Sequence, residues 1–282
     1  APESAALAGR AAALLGDGGL MGRYLRTLGR FWAASLAAEL EYQANFLSEL
    51  LAVAGNLAGS LFLLSLFYGH GHGLGGWSWN AALVVLGVYT LLDGLTSTLL
   101  QPNLSTIVNH VREGTLDFVL LKPIDSQFWL SARTFSPWGL PGIAVGFAVM
   151  AWGASRAGAS PDPRSLALTG LMLLAGALIL YSLWFVLAAT SIWFVKTWNA
   201  TEVLRAALVA GRYPVSAYPA GLRAFFTFVL PVAFLTTVPA EAILGRASGG
   251  WLLASMAVAG LCLLLSRRFW LFALRFYTSA SS

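Results

Sequence analysis

The feature that most constrains this chain is a series of apolar runs, each close to 20 residues long and separated by short polar stretches. A hydrocarbon core about 30 Å thick takes about 20 helical residues to cross. Inside it, every backbone N–H and C=O must be satisfied within the protein, which leaves helices as the natural solution for such runs. Residues 46–68, 81–101, 134–153, 166–195, 223–240 and 251–266 approach or meet that length. Of 282 residues, 58% are hydrophobic and 10% charged, against about 25% charged in a soluble domain. The predicted fold class is all-α, a polytopic membrane protein with six transmembrane helices.

Charge placement then predicts topology. The loops near 69–80, 154–165 and 241–250 carry only Arg156, Arg164 and Arg246 as basic residues. The other fourteen, from Arg10, Arg23, Arg26 and Arg30 through Arg112, Lys122, Arg133, Lys196, Arg205, Arg212 and Arg223 to Arg267, Arg268 and Arg275, fall on the opposite side of this plan. The positive-inside rule makes that side cytoplasmic, together with both termini. A net charge of +5 is thereby explained by topology, and no nucleic-acid partner is expected. Residues 1–20, rich in Ala and Gly, read as a loose tail ahead of a single membrane domain over 21–282. The lone Cys262 supports neither a disulfide framework nor a cysteine metal site.

Catalytic signatures are missing. The sequence has no GxxxxGK[ST], HExxH or GxSxG pattern. His70 and His72, in "HGHG", supply two ligands where a zinc site takes at least three from protein. No metal site, and no enzymatic activity of this chain itself, is expected.

Four segments carry candidate function. Asp93 is the one carboxylate deep within a run, and Thr90, Ser97 and Gln101 fall near its helix face, so that strip either lines a pathway or ties helices together. Arg23, Arg26 and Arg30 stand at helical spacing before the first run. With Leu25, Leu28, Trp32 and Leu36 on another face, they predict a helix lying at the membrane surface. In "FFTFVLPVAFLTTVPAEAILG", Pro231 and Pro239 each remove a backbone donor. The segment is either a kinked span or a helix that crosses and folds back as a re-entrant element at the outer face, with Glu241 near its tip.

The fourth segment is "REGTLDFVLLKP" at 112–123. Gly114 can end one helix and Thr115 cap a second, which Pro123 stops. Leu116, Val119 and Leu120 then share one apolar face, flanked by charged shoulders. Such a stub either lies flat on the membrane or inserts into a groove of a cytoplasmic partner.

This combination resembles the ABC-2 type of ABC-transporter permease, in particular a bacterial branch of short six-span permeases. The resemblance rests on "REGTLDFVLLKPID" at 112–125, "GRYPVSAYP" at 211–219 and "FVLPVAFLTTVPAEAILG" at 228–245, with matching topology from about residue 21. It implies an elbow helix over 23–41 that includes Arg23, Arg26, Arg30 and Trp32. It implies a coupling helix docking on a separate ATP-binding subunit through Arg112, Glu113, Thr115, Leu116, Asp117, Phe118, Val119, Leu120 and Lys122. Pro239 and Glu241 would belong to the re-entrant extracellular element, Arg212 and "GRYPVSAYP" to the cytoplasmic approach to the fifth span, and Asp93, Thr90 and Ser97 to the pathway.

The implied assembly has two ATPase subunits holding ATP and Mg²⁺, and a second permease chain, identical or related. It would work in a bacterial inner membrane, in contact with lipid, exporting a lipid-like, glycan-linked or other amphipathic molecule. Two other classes compete. An ion-coupled transporter or flippase would use Asp93, against which stand the missing internal repeat and the lack of a buried charge partner. A membrane enzyme acting on lipid would have to use His110, Asp117 and Asp125, which the stub already employs as caps and shoulders.

Overall fold

In the computed structural model, residues 19–39, 43–69, 73–194 and 204–278 are described. Most of the expected tail, with Arg10, and also Glu41, His70, His72 and Lys196 lie outside the described residues. The order is α1 (Gly19–Glu39), α2 (Gln43–Gly69), α3 (Trp79–Leu95), α4 (Gln101–Arg112), α5 (Leu116–Leu120), α6 (Ser126–Ala132), α7 (Leu140–Arg156) and α8 (Pro163–Ala189). A helical stretch over 204–212 follows, then α9 (Ala220–Ala224), α10 (Val238–Ile243) and α11 (Gly249–Ala273). The protein is all-α and polytopic. Five stretches are long and apolar enough to cross a membrane: Leu47–Gly69, Trp79–Arg112, Pro137–Arg156, Pro163–Ile192 and Gly249–Phe276. They answer to five of the six predicted spans, and α1 already begins at Gly19, inside the predicted tail.

Two ends of the bundle follow from the contacts. At the first end, Asn80 Nδ2 donates to the Arg156 carbonyl at 3.0 Å, and the turn after α10 meets the start of α8. At the second end, the last turns of α4, α8 and α11 gather around Val108, Ser191 and Tyr277.

The axis is α3, buried all round from Ala81 to Val88, whereas α2 and α11 leave most of their surface uncovered. α3 reaches the centre because α7 packs against it backbone to backbone. Gly87 and Gly94 on α3 face Gly139, Gly142, Gly146 and Gly153 on and just before α7. A Cβ added at Gly87 would strike the Met150 backbone, and one at Gly146 would strike that of Leu91. Small residues permit this approach in lipid, where helix association relies on van der Waals contact and not on the exclusion of water.

Three π turns share one sequence cause. They occupy Thr96–Leu100, Phe225–Val229 and Ala233–Thr237, and each ends two residues before a proline: Pro102, Pro231 and Pro239. A proline in a helix removes one N–H and presses its ring on the carbonyl four residues back. Widening the preceding turn relieves that pressure. For Pro102 the affected carbonyl is that of Thr98, which accepts instead from the Ser136 N–H at 3.0 Å. The second run therefore continues unbroken from Trp79 to Arg112, past its predicted end at 101.

The predicted fifth span requires correction. Helical segments 220–229 and 233–243 meet at a bend of 79° around Pro231. Before them, Ser216 accepts from Trp77 Nε1 at 2.8 Å, and Gly75 packs against Ala217, so 215–217 lies at the first end. From there 220–229 descends until Leu230 reaches the level of Leu183 and Leu265, with which it lines a groove. Segment 233–243 climbs back, and Arg246 finishes 5.8 Å from the centroid of the Trp77 ring. The run at 223–240 is thus a hairpin that enters and returns at one end. The described stretch 204–212 places Arg205 beside Asp93 in a shared cavity lining and leads on to Val215 at the first end. Hydropathy cannot distinguish an apolar run that spans from one that doubles back; Pro231, which lacks the N–H at the bend, is what decides.

"GRYPVSAYP" is accordingly misplaced by the sequence reading. It leads up to the first end and is not an approach from the second. Glu241 lies in α10 toward the return end and not at the tip, which is formed by Leu230 to Val232. The charge count also shifts. Arg205 and Arg212 are inside the bundle, and Arg223 stands near the first end on α9. Arg23, Arg26, Arg30, Arg112, Lys122, Arg133, Arg267, Arg268 and Arg275 remain at the second end, nine against four, so the asymmetry survives.

Replacing Gly146 with Leu is expected to destabilise the bundle by at least about 1–3 kcal/mol, since the side chain has nowhere to go. Gly170→Leu, with open space around its Cα, is expected to be nearly silent. Thermal unfolding of both variants in detergent checks the contrast.

Candidate functional site

Two regions combine chemistry with exposure: the middle of α3 and the second end around α5. Asp93 is fourteen residues into α3 from Trp79, a depth of roughly 21 Å at 1.5 Å per residue. It separates two small cavities. One, of about 20 Å³, is bounded by Glu49, Asn56 and Ser60 of α2, by Thr90, Asp93 and Ser97, and by Gly142. The other, of about 30 Å³, lies behind Asp93 among Trp184, Arg205, Leu208 and Thr236. Each exceeds the 10–15 Å³ that one water molecule occupies. The buried Trp184 Nε1 faces the second cavity without a hydrogen-bond partner among the described residues.

The predicted lack of a charge partner for Asp93 is overturned. The charges of Arg205 and Arg212 both act on its carboxylate. Arg212 also stacks 5.0 Å from the centroid of the Tyr89 ring and donates from Nη1 to Ser60 Oγ at 3.3 Å. The arginines come from a segment 110 or more residues away, so no spacing rule could have paired them with Asp93. Thr90 Oγ1 donates to its own helix at Leu86 O, 2.8 Å away, while still lining the first cavity. The predicted strip of Thr90, Asp93 and Ser97 is therefore one face of a polar cavity. Gln101 is not among the residues lining it.

At the second end, Gly114 takes φ +68°, the left-handed conformation of a helix C-cap, as predicted. Thr115 precedes α5 but does not cap it; its hydroxyl lies 2.7 Å from His110 Nδ1. The docking face read from the sequence is reversed. Leu116 and Val119 are 0% and 1% exposed, turned into the bundle core. Phe118 and Leu121 are 69% and 80% exposed, with Leu120 beside them at 39%. Periodicity found an apolar face but could not tell that it belongs to the protein's own core. Aspartate at 116 and 119 would thus unfold the stub and not merely uncouple it.

Charged neighbours flank this outward face. Arg112 and Glu113 are 3.8 Å apart and exposed, and Lys122 Nζ is 5.5 Å from the centroid of the Trp129 ring. Asp117 interacts with Tyr277, beyond the end of α11. Asp125 caps α6 by accepting from the Phe128 N–H at 2.9 Å, and its other oxygen pairs with Arg267 at 2.6 Å. Asp117 and Asp125 are thus engaged within the fold, Asp125 as the cap of α6 and not of the stub.

α1 braces the same region. Tyr24 meets Phe128 edge to face at 4.6 Å, Trp32 Nε1 donates to the Ala132 carbonyl at 3.0 Å, and Trp138 Nε1 donates to Glu39. Trp32, expected at the membrane boundary, is bonded to protein there. Arg26, Arg30 and Leu25 remain exposed on α1, and Arg23 shares the helix with a side chain outside the described set. Among the described residues, no three His, Cys, Asp or Glu side chains group as metal ligands.

At the first end, Trp77 gathers three segments. Its indole N–H reaches Ser216, Arg246 covers its ring, and its carbonyl accepts from Tyr68 Oη at 2.6 Å. Pro239, buried, opens α10, and the Glu241 carbonyl accepts from the N–H groups of Arg246 and Ala247, closing α10 through Gly245 at φ +69°. This anchor went unread in the sequence, although a Trp in a glycine-rich loop is visible there.

A family model described as "ABC-2 family transporter protein" matches residues 54–281. No curated protein and no solved structure matches the chain.

Asp93→Leu is expected to lower stability by on the order of 3 kcal/mol, because it strips two intramembrane guanidinium groups of a counter-charge. Adding Arg205→Leu should restore part of that loss. Unfolding midpoints of the single and double variants test the coupling, and an unchanged midpoint for Asp93→Leu would count against it.

Proposed function

Given that the chain belongs to the ABC-2 family of transporters, as the match over residues 54–281 establishes, we propose that it forms the translocation path of an exporter for an amphipathic, lipid-like or glycan-linked molecule. It is a multi-pass membrane subunit and brings no catalytic apparatus of its own to the family's task. The free energy comes from an associated ATP-binding subunit, in two copies per complex, which holds ATP and Mg²⁺. A second permease chain, identical or related, completes the path.

The observation that carries this reading is the outward face of α5. In water, Phe118, Leu120 and Leu121 together on one short helix form an unpartnered apolar patch, rimmed by Arg112, Glu113 and Lys122. That is the pattern of a helix that enters a groove on another protein. Because Leu116 and Val119 root the stub in the bundle core, a push on it reaches α4 directly. The second end is then cytoplasmic, as the surviving basic excess also argues. The first end, with the Trp77 anchor and the hairpin, faces outward across a bacterial inner membrane.

Placement of the path rests on α2. Glu49, Asn56 and Ser60 on this otherwise uncovered helix line a cavity with Thr90, Asp93 and Ser97. A path along this face would be completed by the second chain. The exposed part of α1, with Arg26 and Arg30 beside Leu25, suits the lipid headgroup layer.

Phe118→Asp combined with Leu121→Asp is expected to reduce copurification of the ATPase subunit, and transport with it, by tenfold or more, the scale of losing interface anchors. The unfolding midpoint should stay unchanged. Intact copurification with intact transport would remove α5 from the coupling role.

A further inference from the structure

A groove of about 600 Å³ runs between α8, α11 and the bend of the hairpin. That volume lies within the range of small-molecule pockets. Its walls are Leu183 and Val186 from α8, Leu265 and Phe269 from α11, and Leu204 and Leu230 from the chain between them. Ser182 adds little polarity, because its hydroxyl is already bonded to the Leu178 carbonyl at 2.7 Å.

Depth and charge identify the occupant. Cys262 and Arg268 both line the groove, and the six residues of helix between them measure roughly 9 Å. That depth lies within one leaflet of a hydrocarbon core about 30 Å thick. The mouth lies where polar partners begin: Arg267 pairs with Asp125 at 2.6 Å, and Trp270 Nε1 donates to Ser126 Oγ at 3.0 Å. Beside them Arg268 lines the groove, exposed and without an ion pair among the described residues. Among the described residues, no carboxylate lines it. An apolar slot within one leaflet, with Arg268 at its interfacial mouth, complements an anionic phospholipid.

We propose that this groove holds one resident anionic phospholipid from the second-end leaflet, its phosphate on Arg268 and one acyl chain reaching Leu230 at the hairpin bend. The lipid is a structural partner and not the transported molecule. Its tail supports the bend at Pro231, a residue with no N–H to donate.

The experiment uses the full-length protein, stripped of lipid and offered phosphatidylglycerol or phosphatidylcholine in mixed micelles, with retained lipid counted by native mass spectrometry. The wild type is expected to keep one phosphatidylglycerol about fivefold more strongly than phosphatidylcholine, the effect of one Arg beside an anionic headgroup. Arg268→Gln should abolish that preference and Arg268→Lys should preserve it. Leu265→Trp, which narrows the slot while leaving Arg268 in place, should reduce retention of both lipids. Three results would each overturn the proposal: no lipid held by the wild type, as when residues 195–203 fill the groove themselves; equal retention of the two lipids; or an Arg268→Gln variant that still prefers phosphatidylglycerol.

Discussion

Everything in this bundle is arranged around the contact in which α7 lies on α3 with no side chains between their backbones. Such contact is short-ranged, and it gains only if both surfaces are nearly smooth over several turns. Glycines at 87 and 94 on one helix, and at 139, 146 and 153 on the other, recur every seven residues and provide that smoothness. The result is a stiff central pair. It fixes the direction of Asp93, holds one wall of each small cavity, and obliges α2 and α11 to pack as outer layers.

A stiff centre means that motion must be taken up elsewhere. The hairpin is attached at the first end through Trp77, Ser216 and Arg246, but its bend is inserted among apolar side chains. At the opposite end, α5 is anchored by Leu116 and Val119 and presents Phe118 and Leu121 to a partner. Between these two elements lie the Asp93, Arg205 and Arg212 charges, whose burial in a membrane is costly enough to mark a position of functional interest.

The spans formed by single straight runs were legible from hydropathy, because lipid imposes the same length and the same backbone solution on each. The Gly114 cap and the stub after it were legible too, because caps and proline stops act locally. What failed required tertiary information. The inward turn of Leu116 and Val119 depends on which face meets α4 and α6, and the nearness of Arg205 and Arg212 to Asp93 depends on chain segments far apart in sequence. The hairpin was misread as a span because its two arms together have the length and apolarity of one. Pro231 and Pro239 look alike in sequence, but only before Pro231 does the backbone leave the helix, with Leu230 extended, whereas Pro239 stays within the first turn of α10. The seven-residue glycine spacing was present in the sequence and went unread.

Each widened turn ahead of a proline has a consequence for the phase of the helix beyond it. Such a turn contains one residue more than an α-turn requires, so all that follows is rotated by about 100° relative to an uninterrupted helix. Rewinding 96–100 as ordinary α-helix at unchanged length would swing α4 around its axis, and Val108, now buried, would turn to the face where Asn109 is exposed. Deleting one residue there while restoring the standard winding would cancel the rotation and leave α4 facing as it does now. These helices therefore carry an angular setting written as an insertion, and a one-residue deletion inside a widened turn is the one change of length that preserves the facing of the helix beyond it.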